Sequence, residues 1–374
     1  MIRLLSVSIL AFALYLLQRE VYRRLWLKSL NVNIAFARDH IFQGEKGELK
    51  EVVENKKRLP LPMLKVKFKT DRHLIFDVAK GSSTTDQFYR NDVFRVGGGE
   101  KVTRTLQFQG GRRGYYSIKS ASLVSSDLFL VDMFTGDVPV KAAVYVYPRP
   151  YRSDEFWRSL TQLNGEVLTR RHLLEDPFEY RGIREYQPFD PMRSINWKAT
   201  AKTGELKVNQ KNYTSLKSVR VFFNVQDDGI MKKEDCVELS VRIVAGLCVY
   251  FLNQGIQVSC HGNGVDFLTG KPVAIEARAG EGQMDAIYRA LARMDLVRPT
   301  ADFVKTFKER LFTQADGTVT CFVAPNQYAD FVKLLSHFGE AGYEYRWFYP
   351  VSGNKDPKLP DEILKNVHFI HLDI

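Results

Sequence analysis

The chain of 374 residues is 45% hydrophobic, which supplies enough apolar material for globular cores and excludes a mainly disordered protein. Its net charge of +11 allows non-specific attraction to nucleic acid or to an anionic membrane but identifies neither. All four cysteines lie in the second half of the chain, most of them within apolar patterns: Cys236, Cys248, Cys260 and Cys321. We interpret them as buried thiols of a protein in a reducing compartment, not as a disulfide framework.

The N-terminal residues 1–28 are interpreted as a membrane anchor with a basic flank. Ile2 to Leu17 is almost entirely apolar, and basic residues follow it: Arg19, Arg23, Arg24 and Lys28. The positive-inside rule then places the rest of the chain in the cytoplasm. A cleaved signal peptide is the alternative, but no small-x-small cleavage site precedes a polar segment.

Residues 31–150 show short runs of alternating apolar residues separated by glycine-rich turns such as 97–99 and 110–111. Regular strands with turn signals predict an all-β sandwich. None of the glycine-rich turns leads into the Lys-Ser/Thr and helix of a phosphate-binding loop. Residues 151–176 are predicted to be a linker that contains a helix.

The segment from Phe178 to Gly204 carries closely spaced charges around Tyr186 and Trp197: Arg181, Arg184, Glu185, Asp190, Arg193, Lys198 and Lys202. The sequence predicts a strand, a proline-rich turn, and a short helix with Asp190 as its N-cap, ended by Gly204. Since a buried charge without a partner is costly, Glu185 and Asp190 are expected to face arginines in a fixed ionic cluster.

From Ser218 to the end of the chain, apolar strands alternate with helical patterns. Strands are predicted at 218–225, 256–260, 318–323, 343–348 and 367–372, with a hairpin-like strand through 273–276. Helices are predicted near 233–253, 281–294, 301–312 and 327–339. This alternation is typical of a mainly parallel, doubly wound sheet, so residues 177–374 are assigned to a second domain of the α/β class.

The charged segment resembles the signature of the bacterial proteins of the Domain of Unknown Function 58 family, G-x-R-E-Y-x-P-G-D-x-x-R-x-I-x-W-x-A-S/T-A-R-x-G-x-L. The matching positions are Gly182, Arg184, Glu185, Tyr186, Pro188, Asp190, Arg193, Ile195, Trp197, Ala199, Thr200, Ala201, Gly204 and Leu206. Phe189 stands where the family usually has glycine, and Lys202 replaces an arginine, which weakens bidentate pairing. Family members generally carry two membrane helices, whereas this sequence shows one.

The resemblance implies a von Willebrand factor A-like (Rossmann-like) α/β domain after the signature. It also implies association with a MoxR-type AAA+ ATPase and with other von Willebrand factor A-like proteins in chaperone-like assemblies. In such domains the first strand ends in Asp-x-Ser-x-Ser, which holds magnesium, but here the position reads Asn224-Val225-Gln226-Asp227-Asp228. Asn224 and Gln226 offer only neutral oxygens, so we expect no metal and no cofactor, with Asp227 and Asp228 in a solvated turn.

No Gly-x-Ser-x-Gly, Cys-x-x-Cys or His-Glu-x-x-His motif is present, and we expect no enzymatic activity. The leading hypothesis is a membrane-anchored scaffold that binds protein partners. The alternatives are a basic protein that binds nucleic acid or anionic lipid, and an enzyme whose groups meet only in three dimensions. No specific nucleic-acid partner is expected. The signature is either a contact surface or a self-paired structural element, and the sequence leaves both open.

Overall fold

The computed structural model describes residues 2–76, 83–84, 87–171, 180–188, 190–211, 218–227, 234–296, 300–313, 318–353 and 356–372. The chain divides into two compact units, Met1–Arg149 (unit 1) and Pro150–Ile374 (unit 2). The two units are described separately below.

Unit 1 is a β-sandwich preceded by helix α1, Ile2–Leu25. Its strands are β1 Leu30–Phe36, β2 His40–Phe42, β3 Lys46–Asn55, β4 Leu61–Asp71, β5 Leu74–Phe76, β6 Ser83–Thr84, β7 Gln87–Val96, β8 Lys101–Gly110, β9 Gly114–Ser126 and β10 Met133–Tyr147. One sheet has the order β1-β3-β8-β5 and the other β2-β10-β9-β4-β7-β6. Alternate residues such as Leu49, Leu64 and Val144 are fully buried between the sheets. The predicted sandwich is therefore present.

Helix α1 contains a span, Leu4–Leu25, that is long and apolar enough to cross a membrane, a criterion that a signal sequence also meets. Most large apolar side chains from Leu4 to Leu17 are exposed. The C-terminal part of the helix instead packs on the sandwich: Tyr22 is 3% and Trp26 6% exposed, and Trp26 belongs to the sandwich core. The Tyr22 hydroxyl donates to the Pro60 carbonyl at 3.0 Å, and Lys57 Nζ donates to the Trp26 carbonyl at 2.7 Å.

The interior of the sandwich also contains a carboxyl group, that of Glu51 on β3, which is 0% exposed. Neither of its oxygens has a hydrogen-bond partner among the described residues. Arg90 donates to Asp92 at 2.6 Å, and Arg104 donates to Asp92 at 3.0 Å. These arginines therefore pair with Asp92 and not with Glu51. Burial, reinforced by the negative charge of Asp92, raises the pKa of Glu51 to about 8.

Unit 2 begins with helix α2, Asp154–Arg171, followed by a small two-stranded sheet and a larger sheet. Its further elements are β11 Tyr180–Glu185, α3 Trp197–Thr203, β12 Lys207–Lys211, β13 Ser218–Phe223, α4 Glu234–Asn253, β14 Gln257–Asp266, β15 Pro272–Arg278, α5 Glu281–Arg293, β16 Met294–Asp295, α6 Phe303–Phe312, β17 Val319–Val323, α7 Ala329–Glu340, β18 Tyr345–Val351, α8 Asp361–Leu364 and β19 Val367–His371. The larger sheet has the order β15-β14-β13-β17-β18-β19, and β16 pairs with β14.

The larger sheet is mainly parallel, as predicted. Strands β14, β13, β17, β18 and β19 pair in parallel, while β15 and β16 run antiparallel to β14. Every residue of β17 is buried, so both of its faces are covered. On one face, aromatic residues of α6, α7 and the strands form a cluster that includes Phe303, Phe322, Phe331 and Trp347. Helix α4 is buried along nearly its whole length because its residues are apolar on most sides.

Residues 151–176, predicted to be a linker that contains a helix, do contain helix α2, but the described part of this segment packs within unit 2. Helix α2 buries Phe156 and Leu160 completely, and the Phe156 ring contacts Phe348 of β18 with centroids 5.7 Å apart. The Tyr151 N–H donates to the Arg242 carbonyl of α4 at 2.8 Å. An apolar helix face that fills a gap beside the sheet makes this segment part of unit 2.

Candidate functional site

The signature forms a small module, residues 180–211, in which β11 pairs antiparallel with β12. A 3-10 turn, Met192–Ser194, and helix α3 lie between the two strands. Ile195 forms a bridge with Val208, and these two side chains are 6% and 2% exposed. The module is thus held by backbone pairing and a minimal apolar contact, which leaves most of its side chains at the surface.

Helix α3 starts later than predicted. Asn196, not Asp190, is the N-cap, and its side chain accepts a hydrogen bond from the Ala199 N–H at 3.0 Å. Asp190 is unable to cap because its carboxylate accepts from the Gln187 N–H at 2.8 Å and from Arg184. The predicted end is confirmed: Gly204 has φ of 77° in the left-handed region, and its N–H donates to the Thr200 carbonyl.

Asp190 faces an arginine, as expected from the sequence, and forms a bidentate pair with Arg184. Two guanidinium nitrogens of Arg184 donate to the two Asp190 oxygens, each at 2.6 Å. The Asp190 side chain is 8% exposed, and the hydrogen bonds from Arg184 lower its pKa below the ordinary value. This pair fixes the turn that links β11 to the rest of the module.

No arginine side chain that the structure describes pairs with Glu185, so the expected partner is not found among those residues. Its carboxylate lies 3.3 Å from Lys207 Nζ, and its side chain is 77% exposed. Lys207 is shared with Glu205 at 3.1 Å, and hydrogen bonds from the ammonium to Glu205 and Glu185 raise the pKa of Lys207. Since Glu185 is on the strand face opposite to Arg184, the alternation of β11 separates it from the Arg184–Asp190 pair.

The other signature residues whose side chains are described do not join an ionic cluster. Trp197 is 63% and Met192 67% exposed. Arg193, Lys198 and Lys202 are exposed and make no ion pair with any residue that the structure describes. Tyr186 is half-buried, and its N–H donates to the Leu206 carbonyl at 3.0 Å. The side chain of Arg181 and the whole of Phe189 lie outside the described residues.

A second polar site lies at the carboxyl end of β13, where the sequence placed a degenerate metal position. Asn224 is 1% exposed, and its Oδ1 accepts from Asn263 Nδ2 at 2.7 Å and from the Gln226 N–H at 2.9 Å. Asn263 on β14 also accepts from the Val225 N–H at 2.8 Å and donates to the Ala301 carbonyl at 3.0 Å. Asn326, after β17, donates to the Gln226 carbonyl at 2.7 Å. We call these three asparagines the amide network.

The amide network does not fit a magnesium ion. Each amide supplies donors as well as acceptors, so the buried oxygen of Asn224 is already satisfied without a cation. Asp302 and Asp330 line a neighbouring cavity of about 280 Å³, where Asp302 caps α6 by accepting from the Lys305 N–H. No group of three or more His, Cys, Asp or Glu side chains in the described part of the chain is arranged to hold a metal ion. Asp227 is half-exposed, and Asp228 lies outside the described residues.

The other buried titratable groups of unit 2 serve packing. All four cysteines are buried free thiols, and burial raises the pKa of Cys321 to about 12. Burial, together with the neighbouring Arg310, lowers the pKa of His261 to about 4, so this imidazole is neutral at pH 7. A cavity of about 560 Å³ lies at the amino ends of β17 and β18. Ligands of open α/β sheets bind at the opposite, carboxyl ends.

Sequence reasoning missed Asn263 and Asn326, which lie 39 and 102 residues after Asn224 along the chain. The signal in the sequence was their position: Asn263 and Asn326 each come a few residues after a predicted parallel strand. The carboxyl ends of parallel strands lie at the same edge of a sheet.

Comparisons with known proteins give only distant likenesses. No protein-family model and no curated protein matches the sequence. Among solved structures, the CARDB domain of a Pyrococcus furiosus protein in complex with di-metal ions is 21% identical over 30% of this chain and 86% of that chain, with a TM-score of 0.20. A type II cohesin domain from the cellulosome of Acetivibrio cellulolyticus is 10% identical over 31% of this chain and 95% of that chain, with a TM-score of 0.25. At these TM-scores the likenesses carry no argument about function.

Proposed function

We propose that this chain is a membrane-anchored, non-enzymatic scaffold that binds protein partners and works with a MoxR-type AAA+ ATPase in a chaperone-like assembly. The observation that carries the proposal is the surface of the signature module. Trp197 and Met192 are exposed, and each is next in sequence to a cation without an ion-pair partner among the described residues, Lys198 and Arg193. Tryptophan, methionine and arginine are the residue types enriched in protein interfaces, and unpaired cations favour an acidic partner.

The anchor is supported by the way α1 joins unit 1. A cleaved signal sequence has no reason to contribute to a folded core, but Trp26 is part of the sandwich core and Tyr22 is bonded to the loop before β4. The basic residues that follow the apolar run favour a cytoplasmic location for both units. Four buried free thiols are consistent with a reducing compartment.

Unit 2 is proposed to be a von Willebrand factor A-like domain that binds partners without a cation. The mainly parallel sheet and the position of Asn224 after its central strand support this assignment. The amide network supports the absence of magnesium, because its oxygens are engaged by N–H donors. The lack of convergent nucleophile and base among the described residues of the cavities supports a non-enzymatic role.

Purification of the tagged full-length chain from native membranes in mild detergent, followed by mass spectrometry, tests the proposal. An AAA+ ATPase should co-purify with the wild-type chain. Trp197→Ala and Arg193→Ala should each lower the recovered ATPase at least about tenfold, the loss typical of interface anchors. Because both side chains are exposed, the melting temperature should stay unchanged.

Matched controls are Leu268→Ala and Lys308→Ala, an apolar residue that is 52% exposed and an exposed lysine elsewhere in unit 2. These variants should retain the ATPase. Equal recovery from all four variants would contradict a contact surface in the signature module. A drop in melting temperature for Trp197→Ala would favour a purely structural role.

A further inference from the structure

A turn at one end of the sandwich exposes an uninterrupted apolar sequence. Leu128, Phe129, Leu130 and Val131 are between 50% and 65% exposed, and Met133, two residues after Val131, is 58% exposed. Contiguous exposed apolar residues of this kind mark an interaction site. We call residues 127–133 the apolar turn.

Hydrogen bonds within the apolar turn fix its backbone. Asp127 is 0% exposed, and its Oδ1 accepts from the Val131 N–H at 2.8 Å. The Asp127 N–H donates to the Asp132 carbonyl at 3.1 Å, which closes the turn. Leu130 has φ of 62°, a left-handed conformation that leucine rarely adopts. The hydrogen bonds therefore hold a strained backbone with its apolar side chains directed outward.

The apolar turn is bound to α1 through polar groups that lie within the candidate membrane span Leu4–Leu25. Gln18 Nε2 donates to Asp127 Oδ2 at 2.7 Å, and the Tyr15 hydroxyl donates to Asp132 Oδ2 at 3.0 Å. Arg19 Nε lies 2.8 Å from the same Asp132 oxygen. The turn thus supplies a counter-ion and a hydrogen-bond acceptor to Arg19 and Gln18, the polar groups that would be costly near lipid.

We propose that the apolar turn inserts into the lipid interface of the bilayer that α1 enters, so that unit 1 holds the membrane at two points. The proposal rests on the membrane anchorage proposed above. The exposed apolar run of α1 ends at Leu17, and the turn binds α1 at Tyr15, Gln18 and Arg19, so both apolar surfaces reach the same depth. Both aspartates of the turn are engaged by α1, which leaves only apolar side chains to face the lipid.

Environment-sensitive fluorophores on single cysteines test this insertion, since all four native cysteines are buried. Phe129→Cys in the full-length chain, labelled with a nitrobenzoxadiazole dye, is compared in detergent and in vesicles of phosphatidylcholine and phosphatidylglycerol. Ile75→Cys, at a position 53% exposed on β5, serves as the matched aqueous control. Leu10→Cys reports separately whether α1 is in the membrane.

In vesicles the dye at 129 should gain emission severalfold, shift to the blue, and be quenched by lipids brominated near the headgroup but not by aqueous iodide. The dye at 75 should stay accessible to iodide. A dye at 129 that remains accessible to iodide while the dye at 10 is protected would overturn the insertion and keep the anchor. An aqueous signal at both positions would overturn the anchor itself. Protection at 129 that disappears when the chain is diluted in the vesicles would identify a second copy as the occupant and contradict the proposal.

Discussion

The amide network of unit 2 and the carboxyl group of Glu51 in unit 1 are both buried and polar, but their hydrogen bonding differs completely. Asn263 makes three hydrogen bonds, to Asn224, Val225 and Ala301, whereas the Glu51 oxygens make none with the described residues. A satisfied buried group stabilises the fold that surrounds it, and an unsatisfied acid is tolerated mainly by staying protonated. The difference predicts effects of opposite sign when each side chain is replaced.

The largest expected effect is that of Glu51→Gln at alkaline pH. The pKa of Glu51 is about 8 in the folded chain and near the ordinary glutamate pKa of 4.5 when unfolded, so the unfolded state loses its proton first. Wild-type unit 1 should therefore lose stability as the pH rises from about 4.5 to about 8, and remain at the lower value above that. Glu51→Gln has no proton to lose and should be more stable above pH 8 by up to about 4 kcal/mol.

Urea titrations of the detergent-solubilised chain across this pH range, with hydrogen exchange in β3 as the probe of unit 1, measure the effect. Glu54→Gln, a substitution of a half-exposed glutamate on the same strand, is the control and should not remove the pH dependence. A wild-type stability that stays constant from pH 5 to pH 8 would show that Glu51 has a partner in solution.

The next effect in size is the loss of the amide network. Asn263→Ala removes three hydrogen bonds and leaves the Val225 N–H and the Ala301 carbonyl without these partners, which should destabilise unit 2 by about 3 kcal/mol. Asn253→Ala, at the exposed end of α4, should change stability by less than about 0.5 kcal/mol. Urea titration with hydrogen exchange in β13 and β14 compares the two variants. Similar values for both would mean that water replaces the network without cost.

The smallest expected effect is that of magnesium. Calorimetry with Mg²⁺ or Mn²⁺ should give no binding at micromolar concentration, because the amide oxygens of the network already accept hydrogen bonds. Asp227→Ala and Asp228→Ala should give the same result as the wild-type chain. Micromolar binding that either substitution removes would show that the carboxylates displace the network around a cation.

The sequence predicted the order of strands and helices in unit 2 because long apolar patterns with a clear period depend on local residues alone. It also predicted the end of α3 at Gly204, a local backbone requirement. Its prediction of Asp190 as the N-cap of α3 was wrong because a turn aspartate suits a helix cap and an arginine partner equally well, and only the fold brings Arg184 within 2.6 Å. The amide network joins Asn263 of β14 to residues that follow β13 and β17, and no pattern within one strand shows such a contact.

The resemblance to the Domain of Unknown Function 58 family identified the signature but not which of its residues are exposed. Among the side chains that the structure describes, the expected ionic cluster consists of the Arg184–Asp190 pair and the contacts of Lys207. Trp197 was expected to lie within the cluster and is instead at the surface. A short helix on a two-stranded sheet buries one face only, and the sequence did not reveal how small this module's core is.

The attachment of α1 through Tyr22 and Trp26 has a mechanical consequence. Because the end of α1 packs on the sandwich, the helix cannot rotate freely relative to the rest of unit 1. The sandwich therefore tilts together with the helix. The apolar side chains from Leu4 to Leu17 rise only about 20 Å, less than the roughly 30 Å of a hydrocarbon core. With α1 as the proposed anchor, thinner or thicker membranes would change the angle of the sandwich to the bilayer, so the orientation of unit 1 would depend on bilayer thickness.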